Sequence, residues 1–127
     1  MGNRKSSLEA VEVMTVRKKL AGSYKGRKVL ITGHTGFKGS WLALWLESLG
    51  AQVIGYSLDP PTDPSFFQAT GSSDRILDIR GDILDRNKIF GVIQEHRPEY
   101  IFHLAAQPLV RFSYNQPLET FEVNVMG

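Results

Sequence analysis

The 127-residue sequence contains no cysteine, which excludes a disulfide framework, a zinc finger and a thiol nucleophile. Its three histidines, His34, His96 and His103, are too scattered for a metal site of the HExxH type. No purely apolar run exceeds the six residues 41–46, against about 20 needed to cross a bilayer. The amino terminus has basic residues but no apolar core segment and no small-residue cleavage site, so a secretory signal is not expected. These absences point to a cytoplasmic protein with no metal.

What is present is ordinary for a globular chain: 42% hydrophobic and 22% charged residues, enough for one domain. The net charge of +2 hides an asymmetry. Residues 1–28 carry eight Lys/Arg against two acids, and residues 29–127 carry seven against eleven. The basic character therefore belongs to a leader, and the rest has no basic stripe of the kind nucleic acid requires. Met1, Gly2 and Ser6 formally match an N-myristoylation pattern, but such short patterns recur by chance. The leader, residues 1–26, reads as a solvated, flexible tail with a helical stretch over 7–20.

From Lys28 the pattern changes. Residues 28–32 form a β-branched run that reads as a strand buried on both faces. Residues 37–49 place Trp41, Leu42, Trp45, Leu46 and Leu49 at helical spacing, with Gly50 as the stop. A second strand is expected over 52–56, ended by the proline-rich segment 59–64. A short helical turn and loop follow over 66–73, then a third strand over 76–80. Asp85 is placed to cap a helix running to His96, with Ile89, Phe90 and Ile93 inward. Pro98 stops it, and residues 100–104 make a fourth strand. A polar loop bounded by prolines covers 107–117, and a last helix begins at Leu118 with Phe121 and Val125 on one face. This alternation predicts a parallel α/β sheet with right-handed crossovers. The last helix has no cap and no following strand, so the expected fold is the amino-terminal part of a Rossmann-type doubly wound sheet, residues 27–127, incomplete at its carboxyl end.

The strongest chemical signal is the loop Gly33-His34-Thr35-Gly36-Phe37-Lys38-Gly39, between strand and helix. A dinucleotide pyrophosphate needs close backbone approach, free N–H donors and the positive end of a helix dipole. Gly33 permits the turn, Gly36 the approach of phosphate, and Gly39 close packing of helix on strand. A mononucleotide P-loop fails on order, because the lysine precedes the glycine in Lys38-Gly39-Ser40. Asp59, 20 residues past Gly39, is placed to accept from a ribose 2′-hydroxyl, or else merely opens the proline turn. No arginine follows strand two to hold a 2′-phosphate, which favours NAD over NADP, with Lys38 as the reservation. Asp82 and Ile83 follow strand three, where a carboxylate can bond an adenine amino group and an aliphatic neighbour can cover the ring. Leu104, Ala105 and Ala106 follow strand four, where small residues leave room for a cofactor. His103 reads as a hydrogen-bonded core residue, His96 as a solvent-facing helix end, and the two tryptophans as packing.

Together, GxxGxxG after strand one, Asp-Ile after strand three and His-Leu-Ala-Ala after strand four resemble the extended short-chain dehydrogenase/reductase family. The stretches 32–43, 55–66, 102–112 and 120–127 look like its nucleotide-sugar 4,6-dehydratases, and the likeness covers about residues 26–127. It implies an NAD-dependent lyase acting on a nucleotide sugar, CDP-glucose, in a homodimer, with neither nucleic acid nor membrane as partner. In such enzymes the sugar is oxidised at carbon 4, water leaves across carbons 5 and 6, and the hydride returns to carbon 6. Carried over by position, residues 33–39 hold the pyrophosphate and Asp82 and Ile83 the adenine. Leu104, Ala105, Ala106 and Gln107 line the nicotinamide half, and Asn124 touches the ribose or phosphate region. Gln107 and Arg111 begin the loop that faces the sugar, where Arg111 is placed to pair with a substrate phosphate. The family's Tyr-x-x-x-Lys pair belongs further along: Tyr114 has Leu118, not lysine, four residues on. No catalytic residue is therefore assigned, and the 127 residues alone are expected to be inactive. Other readings are a nucleotide-sugar epimerase or reductase, or a non-catalytic NAD-binding fragment. Strand four, lacking further strands beside it, is expected to be an exposed edge that lowers solubility.

Overall fold

A computed structural model describes residues 3–127, with side chains from residue 9 onward. Met1 and Gly2, with which the acylation pattern begins, lie outside the described residues. The leader is one helix, α1 (Asn3–Tyr24), longer than the stretch expected. Its last residue, Tyr24, packs edge-on against Tyr100 with ring centroids 5.2 Å apart.

Four strands, β1 (Lys28–Thr32), β2 (Gln52–Ser57), β3 (Leu77–Arg80) and β4 (Tyr100–His103), form a parallel sheet in the order β3-β2-β1-β4. This is the Rossmann-type arrangement expected, in which β1 lies at the switch between two directions of strand addition. Val29, Leu30 and Ile31 are fully buried, because β1 has a strand on either side and side chains packed on both faces. On one face Val29, Ile31 and Val53 pack with Ala43 and Leu46 of α2 (Phe37–Ser48). On the other, Leu30, Ile54 and Tyr56 pack with Val92 of α4 (Arg86–His96).

Local chemistry sets the element ends. Gly50, at φ +84°, follows the end of α2 in the left-handed conformation that glycine adopts without strain. Asp85 caps α4 by accepting from the Lys88 N–H at 3.0 Å. Ser65 opens the short helix α3 (Phe66–Ala69) through a reciprocal capping box with Gln68. A 3-10 turn (Ser72–Asp74) then leads into β3.

Several expectations are corrected. Phe90 faces solvent at 57% exposure. Ile89, Val92 and Ile93 form the packed stripe, and Phe90 lies about 100° round the helix from Ile89. His96 is half-buried rather than solvent-facing. His103 is exposed, not core, because β4 is bonded to β1 alone among the described strands. Trp41 and Trp45 are more than half exposed, since the core side of α2 is taken by Gly39, Ser40, Ala43 and Leu46; Trp41 nevertheless packs, stacked on Phe66 with ring centroids 4.6 Å apart. The segment expected to be a polar loop contains helix α5 (Val110–Asn115), too short to show a period in sequence. Pro117 opens α6 (Pro117–Phe121), which runs into a π-helical turn (Glu122–Met126). Phe121 and Val125 are both more than half exposed, so their shared face has no packing partner among the described residues.

Candidate cofactor site

The glycine loop crosses the carboxyl end of β1. Gly33, at φ +76°, donates its N–H to the Tyr56 carbonyl at 2.9 Å, tying the loop to β2. A Cβ on Gly33 would lie 2.7 Å from Ala105 N, so the loop sits directly against the segment after β4. A Cβ on Gly39 would collide with the Gly33 carbonyl, so only glycine lets α2 start this close to the strand. At Gly36 the nearest atom to a Cβ would be the Gly33 carbonyl at 3.4 Å, and the space above it is open. Gly36 is also the N-cap of α2 and offers no side chain to its first N–H groups. Glycine backbone beneath open space, with uncapped donors at a helix start, fits a pyrophosphate. Ser40 braces the loop from below, its hydroxyl 2.9 Å from the His34 carbonyl and 2.8 Å from that of Gly36.

The loop side chains divide. Phe37 and Lys38 are exposed, and Phe37 meets Phe66 edge-on at 5.8 Å. Thr35 is buried and bonds Ser57 and the Leu58 carbonyl, fixing the loop to the end of β2. His34 is fully buried and points into the fold, not into the open space above Gly36, its ring edge-on to Phe67 at 5.2 Å. Gly55 makes room for it, since a Cβ there would strike the imidazole. Its Nε2 lies 2.8 Å from Asp78 Oδ1, while Nδ1 has no hydrogen-bond partner. Nε2 is therefore the protonated nitrogen, donating to the carboxylate. Burial holds the His34 pKa below its usual 6.5, although the Asp78 bond opposes this. The ring is neutral at pH 7.

The other expected residues lie along the same sheet end. Asp59 is 91% exposed, and its carboxylate stands 3.8 Å from Arg80 Nε. The absence of an arginine after strand two held for the sequence, yet β3 supplies one there. Asp82 accepts from the Leu84 N–H at 2.9 Å, and its carbonyl accepts from the Tyr56 hydroxyl at 2.8 Å. Ile83 is half-buried beside it. Buried Tyr56 has its pKa raised, first by desolvation and then by Asp85 and Asp82. Leu104 packs on the core, Ala105 is half-buried, and Ala106 is exposed. Asn124 clasps the Gln107 backbone, accepting from its N–H at 2.7 Å and donating to its carbonyl at 3.1 Å. Arg111 stands exposed on α5 with no ion-pair partner among the described residues.

Residues 33–39, 57–59, 80–83 and 104–107 thus share one end of the sheet, while Asn124 and Arg111 stand on the segment beyond. Sequence reasoning missed Asp78 and Arg80. Their signal was two charges at i and i+2 in an expected strand, hence on one face. It also missed that Tyr24 and Lys28 have Tyr-x-x-x-Lys spacing. Tyr24 packs on Tyr100 and Lys28 opens β1, at the opposite end of the strands from the glycine loop. Among the described residues no three metal-ligating side chains come together, and no helix is long and apolar enough to cross a membrane.

Residues 30–127 match the family model described as GDP-mannose 4,6 dehydratase. The chain belongs to this family. It is 55% identical over 104 residues to the CDP-glucose 4,6-dehydratase of Salmonella typhimurium, covering 82% of this chain and 29% of that enzyme. Among solved structures, the epimerase Mth375 of Methanothermobacter thermautotrophicus superposes with a TM-score of 0.75 at 33% identity, over 88% of this chain and 32% of that one. The UDP-glucose-4-epimerase of Stenotrophomonas maltophila, solved with bound NAD and formylated UDP-arabinopyranose, superposes at 0.69 with 28% identity, over 79% and 30%. These relatives place the chain in the nucleotide-sugar dehydratase and epimerase branch of the extended short-chain dehydrogenases. It spans roughly a third or less of the length of the relatives it matches.

Proposed function

We propose that the chain is the cofactor-binding portion, residues 27–127, of an NAD-dependent nucleotide-sugar 4,6-dehydratase that converts CDP-glucose to CDP-4-keto-6-deoxyglucose with loss of water. The observation that carries this reading is the 55% identity to a CDP-glucose 4,6-dehydratase. NAD supplies a two-electron acceptor that is regenerated within one turnover. The chain's own residues bind and orient. The uncapped N–H groups after Gly36 receive the pyrophosphate, with Gly33 and Gly39 keeping the backbone close enough. Asp59 accepts from the adenosine ribose, and Asp82 with Ile83 borders the adenine. Leu104, Ala105, Ala106 and Gln107 floor the nicotinamide side, and Asn124 holds Gln107 in register. Arg111 is free to meet a substrate phosphate, and no residue of the 127 is assigned to acid–base chemistry.

Isothermal titration of NAD into the purified chain tests the binding half of this reading. One-to-one binding that is lost in Gly36→Val, with the circular dichroism spectrum retained, supports it. A folded wild type that binds no NAD overturns it. Incubating the gene product, in whatever length its coding frame specifies, with CDP-glucose tests the lyase half. A 4-keto-6-deoxy product supports the dehydratase, whereas a C4-inverted sugar favours the epimerases seen among the structural relatives. A homodimer is the assembly expected, and light scattering reads it directly.

A further inference from the structure

His34 is where four elements meet the glycine loop. Its imidazole is fully buried. β3 supplies Asp78, whose Oδ1 lies 2.8 Å from Nε2, and β2 supplies Gly55, where any Cβ would strike the ring. α3 supplies Phe67, edge-on at 5.2 Å, and α2 places the Ser40 hydroxyl 2.9 Å from the His34 carbonyl. Asp78 is itself fixed, because its other oxygen accepts from Arg80 at 2.9 Å and Arg80 donates to the Leu58 carbonyl at 3.0 Å. The backbone on either side of the ring is the cradle. Gly33 comes one residue before it, and Gly36, the N-cap of α2, two residues after. Thr35 also ties the loop down, through Ser57 and the Leu58 carbonyl, but His34 is the anchor that titrates near neutral pH.

The clamp suits the neutral ring. Nε2–H donates to Asp78, and Nδ1 makes no hydrogen bond. A second proton would put a cation in a space closed to water, with Arg80 already on the same carboxylate. The charged groups facing the ring both come from β3: Asp78 favours the imidazolium and Arg80 opposes it. Gly55 and Phe67 bring no charge from β2 and α3. The Tyr56 carbonyl favours the cation, and burial, the largest influence, opposes it. A protonated ring is therefore driven toward water, and the loop backbone must move with it. Resting on the reading of the loop as the pyrophosphate site, we propose that His34 is a positioning residue. Its neutral, buried imidazole holds the glycine backbone in the shape that receives the cofactor, and NAD is held tightly only while the ring is uncharged.

The test is titration of NAD into the chain between pH 7.5 and 5.5, with amide NMR of the free chain over the same range. Wild-type affinity should be level at the upper end and then fall by up to about tenfold per pH unit, as one proton is taken up. The Gly33 and Gly36 amide signals of the free chain should move over the same interval. His34→Gln, whose amide can still donate to Asp78 but does not titrate, should stay within about threefold of wild type at pH 7.5 and remain level to pH 5.5. His34→Leu, which fills space but cannot donate, should lose about tenfold or more at pH 7.5. The wild-type profile and its loop amides decide the matter even if His34→Leu does not fold. The proposal is overturned if wild-type affinity is level throughout, if it falls while the loop amides stay still, if the fall survives His34→Gln, or if folded His34→Leu binds NAD as wild type does. Each of these leaves the NAD reading standing. A folded wild type that binds no NAD at pH 7.5 overturns the NAD reading itself, and this inference with it.

Discussion

The Thr32 hydroxyl lies 2.8 Å from His103 Nδ1, joining the carboxyl ends of β1 and β4 where the glycine loop meets the segment after β4. The same oxygen accepts from the Leu104 N–H at 3.1 Å and the Ala105 N–H at 3.2 Å. Having accepted twice, it has one proton to give, so it donates to Nδ1 and His103 carries its proton on Nε2. Thr32→Val keeps the shape and leaves the Ala105 N–H without this acceptor. The variant should lose about 1–2 kcal/mol of stability in urea unfolding, and Thr32→Ser should recover most of the loss. Equal midpoints for Val and wild type would show that the hydroxyl is idle.

Gly33→Ala meets two obstacles, a left-handed φ and the Ala105 backbone. It should cost about 2 kcal/mol or more, read as a lower denaturation midpoint. Gly22→Ala, in α1 with no atom near the new methyl, should be neutral or slightly stabilising by up to about 1 kcal/mol. Similar losses in the two variants would place the glycine requirement elsewhere.

His34 is buried neutral, with its pKa lowered by desolvation. The unfolded chain, with an ordinary imidazole near 6.5, binds a proton that the folded chain resists. Stability should therefore be level above pH 6.5 and fall as pH drops below it, by up to about 1.4 kcal/mol per unit for one proton. The fall ends once pH passes the lowered folded pKa. His34→Gln removes the titrating group and should flatten the slope between pH 5 and 7. A wild-type curve that is already flat in that window would contradict the assignment.

β4 borders only β1 among the described strands, and Ile101 on it is 53% exposed. It lines an open groove of ≈ 490 Å³ together with Leu30, Ile89 and Ile93. Such an edge templates pairing with other chains. The 127-residue chain should self-associate with rising concentration, and Ile101→Lys should shift it toward monomer in light scattering. A wild type that stays monomeric and melts cooperatively would remove the argument.

What was legible in the sequence was local. The β1 run, the glycine triplet between strand and helix, the Asp85 cap and the Gly50 stop each act within a few residues. Their chemistry does not depend on the rest of the chain, and they sufficed for the Rossmann-type order and for the glycine loop at the end of β1. The inward side of α4 was legible from Ile89 and Ile93, but not the choice between Phe90 and Val92, which are both apolar and which only packing against the sheet separates. The exposure of His103 depended on what lies beside β4, not on the strand's own residues.

The charge network was decided only by the tertiary structure. His34 and Asp78 are 44 residues apart and Thr32 and His103 are 71 apart. Each meeting is set by strand order and register, in which Ser57 lies opposite Arg80 and Thr32 opposite His103. A shift of one residue in either pairing would send these side chains to the opposite face. The sequence by itself determined that a glycine-rich turn stands at the carboxyl end of the first strand of a parallel sheet. Only the fold brought Asp59 and His34 to the Asp78–Arg80 pair beside it, because hydrogen bonds and ion pairs require groups within a few ångströms, and His34 is 44 residues from Asp78 along the chain.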